Sequence, residues 1–228
     1  DEEVLNQNIR GHGMQEVIRA TKLLKDAGFK ISYHMMPGLP HATPESDIQS
    51  FHDLFNKAEF QPDMLKIYPC VVVEDSQLYE MHQKGEFVPY SEEVLLHTLK
   101  EIVKEVPEYC RITRLIRDIP TTSIVGGNKI ANLREEIERQ LRDEGVPAKD
   151  IRAREPRDRT LDPNDLHLDV QTYEASGGTE LFLSYTNSDR SILYGFLRLR
   201  LPGHKENEMT KVLPDIQDAA LIREIHVY

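Results

Sequence analysis

Residues 30–54, KISYHMMPGLPHATPESDIQSFHDL, run through a strand, a loop and the opening of a helix in one pass. Residues 31–36 are short and apolar, bounded by Gly28 before and Pro37-Gly38 after, which predicts a buried parallel strand. Thr43-Pro44-Glu45 then opens a helix: the Thr hydroxyl accepts an orphan backbone N–H, Pro suits the first turn, and an acid faces the positive end. His34 near the strand's end and Pro37, Gly38, Pro40 and His41 in the loop are the polar and special residues of this stretch. In an α/β sheet or barrel this is the carboxyl edge of a strand, where such folds bind ligands.

Outward from this stretch the same grammar repeats. Upstream, a glycine-flanked turn at residues 8–13 leads into a helix over 14–27 with Val17, Ile18, Leu24 and Ala27 at helical spacing. Downstream, a strand at 64–68, a short helix over 76–84, a longer helix over 92–106 and a third strand at 110–116 follow. The longer helix carries Val94, Leu95, Leu99, Ile102 and Val106 on one face. Alternating helices and strands at these intervals predict a parallel sheet with crossover helices. The units are too few to close a barrel, so the expectation is the C-terminal part of a barrel-like domain.

Gly126-Gly127-Asn128 punctuates the chain, and a charged helix is expected over 129–144. Residues 146–163, with many charges and three prolines, read as a linker. From Leu166 the pattern changes to alternation: strands at 180–185 and 192–201 are joined by a hairpin through TNSDR, and 221–228 is a further apolar strand.

Composition narrows the class. The chain has 228 residues and is 39% hydrophobic, enough for one large domain or two small ones. It contains no apolar run of about 18 residues, and the acidic start DEEVLNQN lacks the pattern of a signal peptide, so a cytoplasmic protein is expected. Two cysteines, Cys70 and Cys110, exclude a disulfide framework or a cysteine-rich metal site from these residues alone. The formal charge of -11 argues against nucleic acid, yet it is uneven. Residues 110–160 hold twelve Lys and Arg against nine Asp and Glu, and ten of the twelve are Arg, the side chain suited to bidentate phosphate contacts. A solvated helix face with compensating acids explains the same run equally well.

Eight blocks, in order, then bring a family into view: NIRGH at 8–12, HMMPGLP at 34–40, LKIYP at 65–69, RDIP at 117–120, NLRE at 132–135, FLSY at 182–185, LRLR at 197–200 and REIHVY at 223–228. Together they resemble the Elongator catalytic-subunit family, radical-SAM enzymes that modify the wobble uridine of tRNA. The resemblance implies an α/β architecture: the C-terminal part of a radical-SAM (β/α) barrel over 1–130, a charged helix and linker over 131–165, and the N-terminal part of a GNAT-like acetyltransferase domain over 166–228. It implies 5-carboxymethylation of uridine, with a 4Fe–4S cluster, S-adenosyl-L-methionine (SAM) and acetyl-CoA as cofactors. The family's cluster cysteines belong to an earlier strand-loop, so this chain alone is expected to be inactive and to assemble no cluster. A tRNA anticodon stem-loop is the implied partner, with a homodimer or Elongator-type subunits as further partners. The segment Glu224, Ile225, His226 and Val227 matches the strand that carries acetyl-CoA in the family, although by itself it reads as a plain core strand. Ala148, Asp150 and Ala153 stand where many relatives have cysteines, which speaks against a structural zinc.

Candidate residues follow from position. Lys66 and Tyr68 end a strand, where a lysine among apolar neighbours is costly unless it meets solvent, substrate or a carboxylate. With His34 they form the expected catalytic set; an ordinary strand-end lysine and a packed core histidine are the bland alternatives. Arg10 and His12 in the glycine-flanked loop are expected on the SAM side. Arg111, Arg114, Arg117, Arg152 and Arg154 are candidates for tRNA phosphate, with at least one expected to pair with an acid. Two rival readings remain, a protein lysine acetyltransferase and a non-catalytic tRNA-binding scaffold; steeply salt-dependent RNA binding separates the first from the others.

Overall fold

The computed structural model describes residues 2–115, 119–130, 132–203 and 208–228. In chain order the helices and strands are α1 (Glu2–Gln7), α2 (Met14–Asp26), β1 (Ser32–Met35), α3 (Pro44–Asn56), β2 (Met64–Ile67), β3 (Val72–Val73), α4 (Gln77–Gln83), α5 (Glu92–Glu105), β4 (Arg111–Leu115), β5 (Ile124–Gly126) and α6 (Leu133–Asp143). A second group follows: β6 (His167–Ala175), β7 (Gly178–Thr186), β8 (Leu193–Pro202), α7 (Glu208–Val212) and β9 (Leu221–Val227).

Strands β1, β2 and β4 form a parallel sheet in that order, the arrangement expected from alternating helices and strands. Leu65 and Ile67 of the central strand are fully buried, and they pack with Leu95, Leu99, Ile102 and Val103 of α5 and with Phe51 and Leu54 of α3. Each such side chain contributes about 1.5–3 kcal/mol by leaving water. The α3 start is built as its sequence predicts: Thr43 accepts from the Ser46 N–H, Ser46 Oγ accepts from the Thr43 N–H, and Pro44 takes the first turn. Ser91 caps α5 in the same way through the Val94 N–H.

Three local expectations are corrected. Strand β1 is not buried: Ser32 and His34 are exposed and Tyr33 and Met35 only half-buried, because among the described residues β1 has a single neighbour, β2. Helix α2 packs Val17 and Ile18 against the core as expected, but Leu24 is exposed and the fully buried positions, Thr21, Lys25 and Asp26, are polar. Val94 of α5 is turned outward, and Val103 takes the buried place instead. A two-stranded antiparallel pair, β3 with β5, has no counterpart in the sequence reading, since two or three residues carry no detectable period.

The expected linker is also corrected. Residues 150–154 dock on β4: Ile151 is fully buried, its N–H donates to the Cys110 carbonyl, and Asp150 accepts from the Ile112 N–H. Arg134 of α6 completes the weld with bonds to the Ile112 carbonyl and to Asp150.

Strands β6 to β9 form an antiparallel meander in chain order. The face turned toward the parallel sheet carries Glu180, Arg198 and Arg200 together with Phe182 and Phe196. The opposite face bears Val170, Leu183, Leu197 and Ile225 in one cross-strand row. Two contacts join the sheets through apolar packing: Tyr109 stacks on Tyr173 with centroids 3.9 Å apart, and Phe182, Leu193 and Phe196 share the core of the parallel sheet.

Candidate functional site

Charge concentrates in two places, one at each end of the parallel strands. At the amino end, the antiparallel sheet docks through a buried ionic cluster. Asp63, which immediately precedes β2, accepts from Arg223 at 2.6 and 2.8 Å and from the Ile31 N–H at 2.8 Å. Arg223 also reaches Glu180, and Arg200 bridges Glu180 and Asp26. Arg198 pairs with Glu224 at 2.8 Å while lying over the rings of Phe182 and Phe196. Lys25 Nζ sits 3.8 Å from both Asp63 and Glu180, wholly buried, without a hydrogen-bond partner among the described residues. Burial pushes the Asp63 carboxyl up, but Lys25, Arg223 and Arg198 outweigh it and hold the group well below the usual carboxylate range. Burial lowers the Lys25 ammonium despite the same carboxylates. Every member faces another member or a backbone group, so this region joins the sheets and offers nothing to a ligand.

At the carboxyl end the arrangement is open. His34 of β1 is in register with Lys66 of β2, and Lys66 with Arg114 of β4. Because Leu65, Ile67 and Leu115 point into the core, the alternation of a strand sends His34, Lys66 and Arg114 to the other face. The row therefore crosses all three strands. His34 and Arg114 are exposed and Lys66 half-buried, and among the described residues Lys66 makes no ion pair. Tyr68, one step beyond Lys66 on the same face, meets the His34 ring edge-on at 5.6 Å. Three cationic or imidazole groups and a phenol on an open sheet face suit a ligand with carboxylate or phosphate oxygens.

Arg10 and His12 are both exposed, in a turn hooked to this rim: Asn8 Nδ2 donates to the Pro40 carbonyl in the loop after β1. The predicted arginine bridge fares differently. Arg154 is buried, and its guanidinium donates to the Glu108 carbonyl and side chain, with burial lowering its pKa. It is a packing element rather than a phosphate contact. Arg152 donates to the Thr113 carbonyl at 2.6 Å, and Arg111 pairs with Glu155 and donates to the Tyr228 hydroxyl at 2.8 Å. The docked segment gives these guanidinia carbonyls and acids that an extended linker could not. Arg117 lies outside the described residues.

The segment Glu224 to Val227 is divided by strand alternation. Glu224 is engaged by Arg198 and Lys30, whereas Ile225 and Val227 are exposed, and His226 stacks on Phe196 with centroids 5.7 Å apart. Among the described residues β9 pairs with β8 alone, leaving its other edge open. Both thiols are buried, with burial pushing Cys70 up to about 11 and Cys110 well above its usual range, and among the described residues no three His, Cys, Asp or Glu side chains group to hold a metal ion.

Sequence reasoning missed Lys25, Asp26, Asp63 and Glu180. A signal existed for part of the cluster: Leu197-Arg198-Leu199-Arg200 at period 2 places both arginines on one strand face, which a buried face tolerates only with acids opposite.

Residues 62–143 match the Radical_SAM C-terminal domain. The chain is 41% identical over 232 residues to a protein of Methanocaldococcus infernus named tRNA uridine(34) acetyltransferase, covering 99% of this chain and 42% of the relative. It is 37% identical over 231 residues to human Elongator complex protein 3, again covering 42% of the relative. A solved structure of archaeal Methanocaldococcus infernus Elp3 with an N-terminal deletion superposes with a TM-score of 0.91 at 41% identity, covering 100% of this chain and 54% of that one. The chain thus spans less than half the length of these curated relatives. Over its whole length it is homologous to the proteins named tRNA uridine(34) acetyltransferase and Elongator complex protein 3, and it carries a radical-SAM C-terminal domain.

Proposed function

We propose that the protein modifies the wobble uridine of tRNA by 5-carboxymethylation, with SAM and acetyl-CoA as cofactors and an anticodon stem-loop as substrate. The observation that carries this reading is identity of 41% sustained over 99% of the chain with relatives whose name specifies uridine(34) of tRNA. The described residues hold no group of side chains that fits an iron–sulfur cluster. Their part is binding and orientation. Lys66, flanked by His34 and Arg114, presents positive charge to the carboxylate of SAM or to an RNA phosphate, and Tyr68 fixes the His34 ring. Arg10 and His12 supply further polar groups at the same rim.

In this reading residues 166–228 form the N-terminal part of a GNAT-like domain, following the barrel part at 1–130 and the charged segment at 131–165. Its open β9 edge has backbone groups at Glu224, Ile225, His226 and Val227 to receive the acetyl end of acetyl-CoA. The setting is cytoplasmic, and Elongator-type subunits or a second copy are the partners. Among the described residues no helix is long and apolar enough to cross a membrane.

The test supplies the full-length protein with anticodon stem-loop RNA, SAM and acetyl-CoA and measures nucleosides by mass spectrometry. Carboxymethylated uridine, lost in Lys66→Ala, is expected. Acetylated lysine on a peptide substrate without any change to RNA would favour a protein acetyltransferase instead. Salt-sensitive RNA binding without product under any condition would favour a scaffold.

A further inference from the structure

The loop at residues 37–40, directly after β1, is held from several sides. Gly38 is buried with φ +79°, a left-handed conformation that glycine adopts without strain. Its N–H donates to Asp47 Oδ2 at 2.8 Å, and the same oxygen accepts from the Tyr90 hydroxyl at 2.9 Å. The Tyr90 ring lies flat enough against Gly38 that a Cβ there would touch it at 3.4 Å. The Pro37 carbonyl accepts from the Cys70 N–H at 2.8 Å, and the Pro40 carbonyl accepts from Asn8. Asp47 belongs to the first turns of α3, whose start is fixed by the Thr43 and Ser46 bonds, so its carboxylate is a rigid anchor.

We infer that Asp47 is the positioning residue that sets this loop, and through it the rim of the His34, Lys66 and Tyr68 face. Asp47 does not lie on that face. It acts by joining three elements distant in sequence, the loop after β1, helix α3 and the segment before α5, through one oxygen atom. The loop it holds begins two residues beyond Met35, whose carbonyl accepts from the Tyr68 N–H. A shift of the loop thus bears on both His34 and Tyr68. Burial raises the Asp47 carboxyl, and the Gly38 and Tyr90 donors counter that by favouring the ionised form. Other ionisable groups facing the pair are Glu45 and the Cys70 thiol.

The ligand half of this inference rests on the SAM site proposed above; the structural half does not. Hydrogen exchange of the full-length protein, read on a peptide spanning residues 36–43, tests the clamp. Asp47→Ala should speed exchange at Gly38 and Leu39 by about tenfold or more, whereas Asp47→Asn, which keeps an acceptor oxygen in place, should stay within about twofold of the parent. Tyr90→Phe, which removes one of the two bonds, should fall between, and it carries the test should Asp47→Ala fail to fold. Equilibrium binding of SAM should weaken by about tenfold in Asp47→Ala and recover in Asp47→Asn. Unchanged exchange in Asp47→Ala, or faster exchange with unchanged SAM affinity, overturns the inference. A parent protein that binds no SAM sinks the site proposal instead, while the exchange data still decide whether Asp47 holds the loop.

Discussion

The two ends of the parallel sheet are built from the same kinds of side chain and put them to opposite use. At the amino end, Asp63, Glu180, Arg198, Arg200 and Arg223 are buried and mutually paired. At the carboxyl end, His34, Lys66 and Arg114 form a row open to solvent, with no acid of the described sheet in that row. A charge removed from water must bring its partner with it, whereas Lys66, half-buried at a strand end and without an ion pair among the described residues, keeps its interaction free energy for a ligand. The comparison teaches that a charged residue within a strand is informative only once its neighbours across the sheet are known.

The sharpest way to break this contrast is to remove one charge from each end. Asp63→Ala leaves Arg223 and Lys25 buried beside a missing partner and should cost about 3–5 kcal/mol in urea unfolding. A cost below about 1 kcal/mol would mean that the cluster is solvated and the two ends are alike. Lys66→Ala should shift stability by no more than about 0.5 kcal/mol in the same assay while removing function.

Acid sharpens the contrast through the same carboxyl. The Asp63 pKa is depressed on folding, so its contribution is complete above the unfolded carboxylate value of about 4 and is lost as pH falls through that value toward the folded one. Melting temperature should therefore drop steeply below about pH 4–5, and Asp63→Asn should flatten that slope. Next in size, Gly38→Ala forces an alanine into a left-handed conformation and should cost about 1–2 kcal/mol, read by chemical denaturation. The smallest effect belongs to the exposed pair of Arg139 with Glu136 on α6: Arg139→Ala should leave the melting temperature unchanged, which marks a surface ion pair as distinct from either end.

Much of the architecture was legible because it depends on local signals. Thr43-Pro44 and Ser91 start helices through short-range capping, and the TNSDR hairpin sets its two strands antiparallel. The proximity of His34, Lys66 and Tyr68 follows from a related signal: each ends or lies near the end of a neighbouring strand in a parallel sheet. Residues 146–163 were misread, since a segment without periodicity gives no sign of whether it docks; Ile151 and Asp150 bury themselves only because β4 offers a carbonyl and an N–H. Arg154 is buried with that segment for the same reason. The polar C-terminal turns of α2 are hidden in the same manner, Lys25 and Asp26 being ordinary surface residues until β7, β8 and β9 are brought against them.

By itself, then, the order of residues determined the alternating helices and strands of the first half, the antiparallel hairpin of the second, and the blocks that tie the chain to its relatives. These follow from interactions within a few residues, or from patterns that survive as text. The tertiary structure alone decided which charges are buried and paired and which stay open, because Arg223 and Asp63 are 160 residues apart along the chain yet 2.6 Å apart in space. Desolvation is a property of that three-dimensional neighbourhood, and no local pattern in the chain encodes it.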